Sequence, residues 1–333
     1  MWTAIAQHIG AKTGTAFTIA DRRSVGGGCI NQAYQISDGS QSFFIKLNQA
    51  PQVAMFEAEA LGLKDMYDSQ TIRVPKPIAW GTVDGSAYIA LEWLDLGGGG
   101  EAWGRMGENL AAMHRVTHDK GFGWHQTNTI GATPQPNPWT ATWLEFYREH
   151  RLRHQFRLAG RRGGRFPRQH ELLMALPDLL AGHDPAPALV HGDLWSGNAA
   201  VTKDGEPVIL DPATYFGDRE VDIAMTELFG RFPTAFYEAY NAAYPLDAGY
   251  KTRKTLYNLY HILNHFTLFG GSYESQANRM IDQRLRGGVR RTCGRCKLFH
   301  KLHRSLQGEL SGLAFQHKLI LVTQPRLMIW CEE

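Results

Sequence analysis

One string, His191-Gly192-Asp193-Leu194-Trp195-Ser196-Gly197-Asn198, followed shortly by Val208-Ile209-Leu210-Asp211-Pro212, constrains this chain more than any other feature. Ala188, Leu189 and Val190 read as a strand that delivers His191 to a loop, and Gly192 and Gly197 free the backbone for a tight path. Two further short strands, Asn198 to Val201 and Pro207 to Leu210, flank Lys203-Asp204-Gly205-Glu206, whose Asp-Gly pair favours a hairpin. That hairpin can bring Asn198 and Asp211 together. A carboxylate, a carboxamide and a second carboxylate in this order can take a proton from a hydroxyl and hold Mg²⁺ against a nucleotide triphosphate. The pattern therefore reads as phosphoryl transfer, with Asp193 as base and Asn198 and Asp211 as metal ligands.

Such a site needs a nucleotide clamp, and its parts stand upstream. Gly26, Gly27 and Gly28 lie between apolar-alternating stretches, Phe17 to Val25 and Ile30 to Ile36, as a glycine-rich hairpin over phosphates would. Phe43-Phe44-Ile45-Lys46-Leu47 reads as a strand interrupted by one lysine; a lysine protecting a strand edge is the plainer alternative. Val53 to Tyr67 has helical spacing at Phe56, Ala60, Leu63 and Tyr67, with Glu57 and Glu59 in its first turns. One of these can pair with Lys46 and aim it at the α- and β-phosphates, and Glu59 is favoured. Ser86 to Leu91 reads as a strand ending at Glu92-Trp93-Leu94, before Gly97 to Gly100 loosen the chain. Lying between Lys46 and Asp193, it suits an interlobe connection, with the Glu92 carbonyl and Leu94 amide as adenine contacts.

Gly26-Gly27-Gly28-Cys29-Ile30-Asn31, Phe56-Glu57-Ala58-Glu59-Ala60-Leu61-Gly62-Leu63, the loop from His191 to Asn198, and Asp211-Pro212-Ala213 with Gly217-Asp218-Arg219-Glu220-Val221-Asp222-Ile223-Ala224-Met225 resemble the fructosamine kinase (ketosamine-3-kinase) family, over about residues 1 to 283. The resemblance implies a protein-kinase-like α+β fold of two lobes, shared with aminoglycoside and choline phosphotransferases: a small antiparallel-sheet N-lobe and a larger, mostly helical C-lobe. It implies ATP-dependent phosphorylation of the sugar 3-hydroxyl of ketosamines, fructosamine or ribulosamine adducts, free or protein-linked. The phosphorylated adduct decomposes and frees the amine, so the family is associated with protein deglycation. Carried over, Lys46 and Glu59 form the nucleotide-orienting pair, Asp193 is the base, and Asn198 and Asp211 hold Mg²⁺. Trp195 either offers an apolar face to the sugar adduct or fills the core beneath its loop.

Asp211 precedes Pro212-Ala213 where protein kinases in the narrow sense have Phe-Gly, and no Ala-Pro-Glu follows to anchor an activation loop. A small-molecule acceptor is thus favoured over a peptide. Residues 219 to 230 begin a helix whose Asp222 either braces the catalytic loop, the favoured reading, or caps the helix. Two rivals remain open: a sister phosphotransferase acting on another small alcohol, and an inactive nucleotide-binding, redox-responsive regulator.

Residues 1 to 95 form the expected nucleotide lobe, 96 to 283 the catalytic and acceptor lobe, and 284 to 333 an unassigned basic tail. Ten of the 35 Lys and Arg residues fall at or beyond Arg284 against three of the 32 acids, so a net charge of +3 hides a mildly acidic body. The tail reads as a lineage-specific extension or an out-of-frame terminus; its Cys293-Gly294-Arg295-Cys296 with His300 and His303 lacks the spacing of a zinc finger, and nucleic-acid binding has no support beyond the arginines. Cys29 sits in the phosphate loop, where it either fills the hairpin as a small apolar residue or oxidises, pairing two copies of the chain as a homodimer. No apolar run approaches the roughly 20 residues of a membrane span, and a cytoplasmic location is the default. Elsewhere, Glu101 to Arg115 and Leu256 to Phe269 read as scaffold helices, as does Trp139 to Phe156. Thr133 to Pro138 reads as a loop, and His114 and His118 as structural or exposed rather than ligating.

Overall fold

Period-two burial organises the first part of the molecule. Strands β1 (Asp21–Ser24), β2 (Gln32–Ser37), β3 (Ser42–Gln49), β4 (Pro77–Val83) and β5 (Ser86–Glu92) form one antiparallel sheet in the order β1-β2-β3-β5-β4. Along β3, Phe43, Ile45 and Leu47 join a core with Ile36, Tyr88 and residues Ile5 and Ile9 of helix α1 (Trp2–Thr13). Alternation turns the intervening Lys46 to the other face. There Ile89 and Leu91 of β5 meet Phe56, Leu63 and Met66 of helix α2 (Val53–Ser69) in a second, larger core. A fully buried side chain such as Phe56 contributes roughly 1.5–3 kcal/mol by leaving water.

The computed structural model describes residues 1–26, 31–100 and 102–286. The expectations for Gly27, Gly28, Cys29 and the tail from Gly287 onward lie outside the described residues. Residues 1–286 hold together as one unit.

Beyond Glu92 helices dominate: α3 (Ala102–Met113), α4 (Trp143–Phe146), α5 (His154–Arg161), α6 (Gln169–Leu179), α7 (Glu220–Thr226), α8 (Thr234–Ala243) and α9 (Tyr250–Phe269), with residues 273–286 also helical. Three antiparallel strand pairs run between them, β6 (Asn128–Ile130) with β7 (Thr133–Gln135), β8 (Ala188–Val190) with β11 (Tyr215–Gly217), and β9 (Ala199–Val201) with β10 (Pro207–Ile209). The expected hairpin around Asp204-Gly205 is thus present, with Gly205 at φ 81°.

Two expectations need correction. Thr133–Gln135 is a strand, because Pro134 stands in a two-stranded ribbon where its missing N–H leaves no central ladder broken. The segment from Trp139 is not one helix. It starts at Trp143, where the Thr142 hydroxyl accepts from the Glu145 amide at 3.3 Å, and passes through a π-helical run, Tyr147–Arg153, before α5. That wider run carries the fully buried Arg151, its guanidinium 4.0 Å from the Tyr215 ring centroid and 4.4 Å from that of Phe146.

Helices α3 and α8 meet at Gly107, where an added Cβ would fall 2.3 Å from the Phe236 carbonyl oxygen. Gly107→Ala is therefore expected to destabilise the fold by about 1–3 kcal/mol in urea unfolding, through forced separation of two packed backbones. An unchanged unfolding midpoint would contradict that contact.

Candidate active site

Strand β8 delivers His191 to a loop whose path is fixed from below. Gly192 adopts φ +82° and passes so close to Ala213 that a Cβ would lie 2.2 Å from its carbonyl oxygen, so only glycine satisfies both demands. Gly197 serves differently from the expectation: its φ is ordinary, but a Cβ there would lie 2.4 Å from the Trp195 ring. Asp222 on α7 braces the loop, as favoured above. Its carboxylate accepts from the amides of His191 at 2.7 Å and Gly192 at 2.8 Å, and pairs with His114 Nε2 at 3.1 Å. Burial pushes this carboxyl upward, but His114, His191 and the Gly192 amide outweigh it and hold Asp222 below its ordinary value.

Lys46 reaches from β3 between two carboxylates. Its ammonium donates to Glu59 Oε1 at 2.8 Å and to Asp211 Oδ1. Glu59, and not Glu57, is the partner. Burial alone would depress the lysine, yet Asp211 and Glu59 together hold it above its ordinary value, so it stays charged. Helix α2 approaches the Asp211 segment closely because Gly62 leaves room: a Cβ there would lie 2.5 Å from the Thr214 hydroxyl oxygen. Asp211 itself takes φ +53°, a left-handed conformation that aspartate tolerates better than most side chains.

Asp193 and Asn198 face this group. The Asn198 carboxamide nitrogen donates to the Asp193 carbonyl at 2.9 Å and stands 3.5 Å from its Oδ2. Burial first, then the nearby Asp211 and Asp222 carboxylates, push the Asp193 carboxyl up to about 7. A cavity of about 180 Å³ is lined by Lys46, Glu59, Asp193, Trp195, Asn198 and Asp211, with Asn31, Asn128 and Thr129 among its further walls. Trp195 is 38% exposed, which removes the option that it fills the core. Gly26 ends the described part of the glycine loop, with open space around it. Glu92 and Leu94 stand at the exit of β5, outside the cavity walls; the Glu92 carboxylate pairs with Arg73 and accepts from the Lys76 amide at 3.1 Å. A wider, open depression along Thr117, His118, Asp119, Ala186 and Pro187 gathers no comparable set of polar groups.

The oxygen donors suit a hard cation. Asn198 spends its nitrogen on the loop, and its Oδ1 meets no donor among the described residues, while the Asp211 side chain is 54% exposed and already attracts a positive group.

Sequence reasoning missed His114 as a working part of the brace. This buried imidazole also pairs through Nδ1 with the Tyr240 hydroxyl at 2.8 Å, linking α3 to α8 and to α7. Only its place on the inner face of the expected 101–115 helix hinted at it. Asp222→Asn is expected to cost about 2 kcal/mol at neutral pH by leaving amide donors poorly matched. A carboxyl held below its unfolded value contributes stability above about pH 4 and loses it as the pH falls through the folded value. The stability gap between wild type and Asp222→Asn should therefore narrow on acidification below about pH 4, read by urea unfolding across pH.

Known proteins resemble this chain over most of its length. The family model described as fructosamine kinase matches residues 1–287. A probable ketoamine kinase from Synechocystis sp. is 58% identical over 286 residues, covering 86% of this chain and 97% of that protein. A chloroplastic protein-ribulosamine 3-kinase from Arabidopsis thaliana is 46% identical over 278 residues, covering 82% and 85%. The crystal structure of a candidate fructosamine-3-kinase from Haemophilus somnus superposes with a TM-score of 0.81 at 32% identity, covering 86% of this chain and 98% of that one. The small antiparallel sheet followed by a mostly helical remainder is the protein-kinase-like α+β arrangement, and the chain belongs to the fructosamine kinase family.

Proposed function

We propose that this protein is an ATP-dependent ketosamine 3-kinase, transferring the γ-phosphoryl group to the sugar 3-hydroxyl of a fructosamine or ribulosamine adduct. The observation that carries the reading is the convergence of Lys46, Glu59, Asp193, Asn198 and Asp211 on one cavity in a member of this family. Residues 1 to 95 serve as the nucleotide lobe and 96 to 283 as the catalytic and acceptor lobe. Lys46, held by Glu59, orients the α- and β-phosphates, Gly26 to Gly28 cover them, and the Glu92 carbonyl and Leu94 amide receive adenine. Asn198 and Asp211 hold Mg²⁺, which supplies positive charge that offsets the phosphates and eases the crowding of carboxylates around Asp193. Asp193 takes the proton of the attacking hydroxyl and fixes its direction. Trp195, exposed beside that base, gives the adduct an apolar face. Phosphorylation destabilises the adduct and frees the amine, which makes protein deglycation the process served. No helix among the described residues is long and apolar enough to cross a membrane, and we place the enzyme in the cytoplasm.

The decisive assay is ATP consumption with a synthetic fructosamine or ribulosamine, run beside an aminoglycoside and choline to separate the sister activity. Asp193→Ala is expected to lower kcat by at least about 100-fold while ATP still binds. Retained turnover in that variant would refute the assignment of the base. Removing divalent cations with a chelator should abolish transfer, and adding Mg²⁺ back should restore it. Lys46→Met should raise KM for ATP and lower kcat together, since it removes both phosphate contact and orientation.

A further inference from the structure

Helix α9 carries two buried side-chain atoms without a hydrogen-bond partner among the described residues, Asn258 Oδ1 and His261 Nδ1, and the second of them faces the candidate base. The Nδ1 of His261 is shielded from water and has no hydrogen-bond partner among the described residues, on a side chain 4% exposed. Buried polar atoms are normally matched, so an orphan of this kind calls for a reason. The carboxylate it faces is that of Asp193, whose Oδ1 lies 4.0 Å away. Asp193 is itself short of donors: the side chain of Asn198 stands 3.5 Å from Oδ2, and Asp211 and Asp222 add only negative charge nearby. Burial first, then His265, hold His261 at about 3, so the ring is neutral and one of its nitrogens bears a proton. When Asp193 is ionised, as a base must be, a lone pair turned toward its carboxylate is repelled and an N–H is attracted, so that form favours the tautomer protonated at Nδ1.

We propose that His261 is a positioning residue for the base: it donates from Nδ1 to Oδ1 of Asp193 as the acceptor binds, locking the carboxylate so that Oδ2 meets the sugar hydroxyl. The inference rests on Asp193 being the base. Catalytic hydrogen bonds are often long without substrate and tighten only in the complex, and the 4.0 Å separation asks for a closure of about 1 Å. Position on the rigid α9, rather than on the loop, makes His261 a fixed reference against which the loop carboxylate is set.

The test compares His261→Ala, His261→Leu and His261→Asn at saturating ATP and Mg²⁺ with a synthetic ketosamine. Alanine and leucine should lower kcat roughly 10- to 100-fold, with KM for ATP within about twofold of wild type, because a misaimed base slows the step without loosening the nucleotide. Asparagine should recover most of that loss, since its carboxamide nitrogen can stand close to where the imidazole Nδ1 stands. Wild-type kcat in the leucine variant, asparagine no better than leucine, or a loss confined to KM for the ketosamine would each overturn the proposal. Because a variant can fail to fold, the wild-type enzyme provides a second arm. Its histidine ¹⁵N resonances, recorded with a non-hydrolysable ATP analogue, Mg²⁺ and the ketosamine, should show Nδ1 of His261 protonated, and an unprotonated Nδ1 overturns the idea. An active Asp193→Ala would remove the base and this role with it, whereas an inactive Asp193→Ala beside a fully active His261→Leu removes His261 alone.

Discussion

The buried carboxylate of Asp222 is the constraint on which the loop from His191 to Asn198 depends. A carboxylate taken from water costs several kcal/mol unless donors replace the solvent. Here the replacement comes from three donors: two consecutive loop amides, and the imidazole of His114, just past the end of α3, that is itself held by Tyr240 on α8. Satisfying that one group therefore fixes four pieces of chain at once. The short helix that carries it is pinned in turn. Arg253 on α9 grips Glu220 with two hydrogen bonds of 2.7 Å, and Asp218 accepts from Tyr257 and pairs with His183 at 2.6 Å. The loop bearing Asp193 is thus referred to the helical core rather than to solvent.

On the other side of the cavity the electrostatics are arranged around a surplus of carboxylates. Glu59, Asp193, Asp211 and Asp222 lie within one small region, and Lys46 is the cation set between two of them. Such a surplus is unfavourable in isolation and would be eased by a hard cation held among these oxygens. Gly62, by admitting Thr214, keeps the helix of Glu59 and the segment of Asp211 in register, so the lysine can bridge them.

What was legible in the sequence follows from how local each feature is. Strand β3, helix α2 and the β9–β10 hairpin were readable because alternation, helical spacing and an Asp-Gly turn act over a few residues. Glu59 was favoured over Glu57 as the partner of Lys46, and the order of carboxylate, carboxamide and carboxylate picked out Asp193, Asn198 and Asp211, which line one cavity with that lysine. Other features depend on partners far away in the chain. Helix α1 buries only Ile5, Ala6 and Ile9, too sparse a stripe to announce itself. The strand at Thr133–Gln135 hid behind its central proline, and the π-helical run around Arg151 has no spacing signature. His114 and His261 were opaque because a histidine reveals its purpose only through the carboxylate it meets, more than 60 residues away in each case.

The exposed indole of Trp195 has an optical consequence. Among the tryptophans of the described residues it is the one that lines the cavity, and at 38% exposure it is partly open to water. A solvated indole emits at longer wavelength than a covered one, so a ligand that settles against this ring shifts the intrinsic fluorescence to the blue. The loop from His191 to Asn198 therefore carries its own occupancy reporter, readable without turnover and without any label.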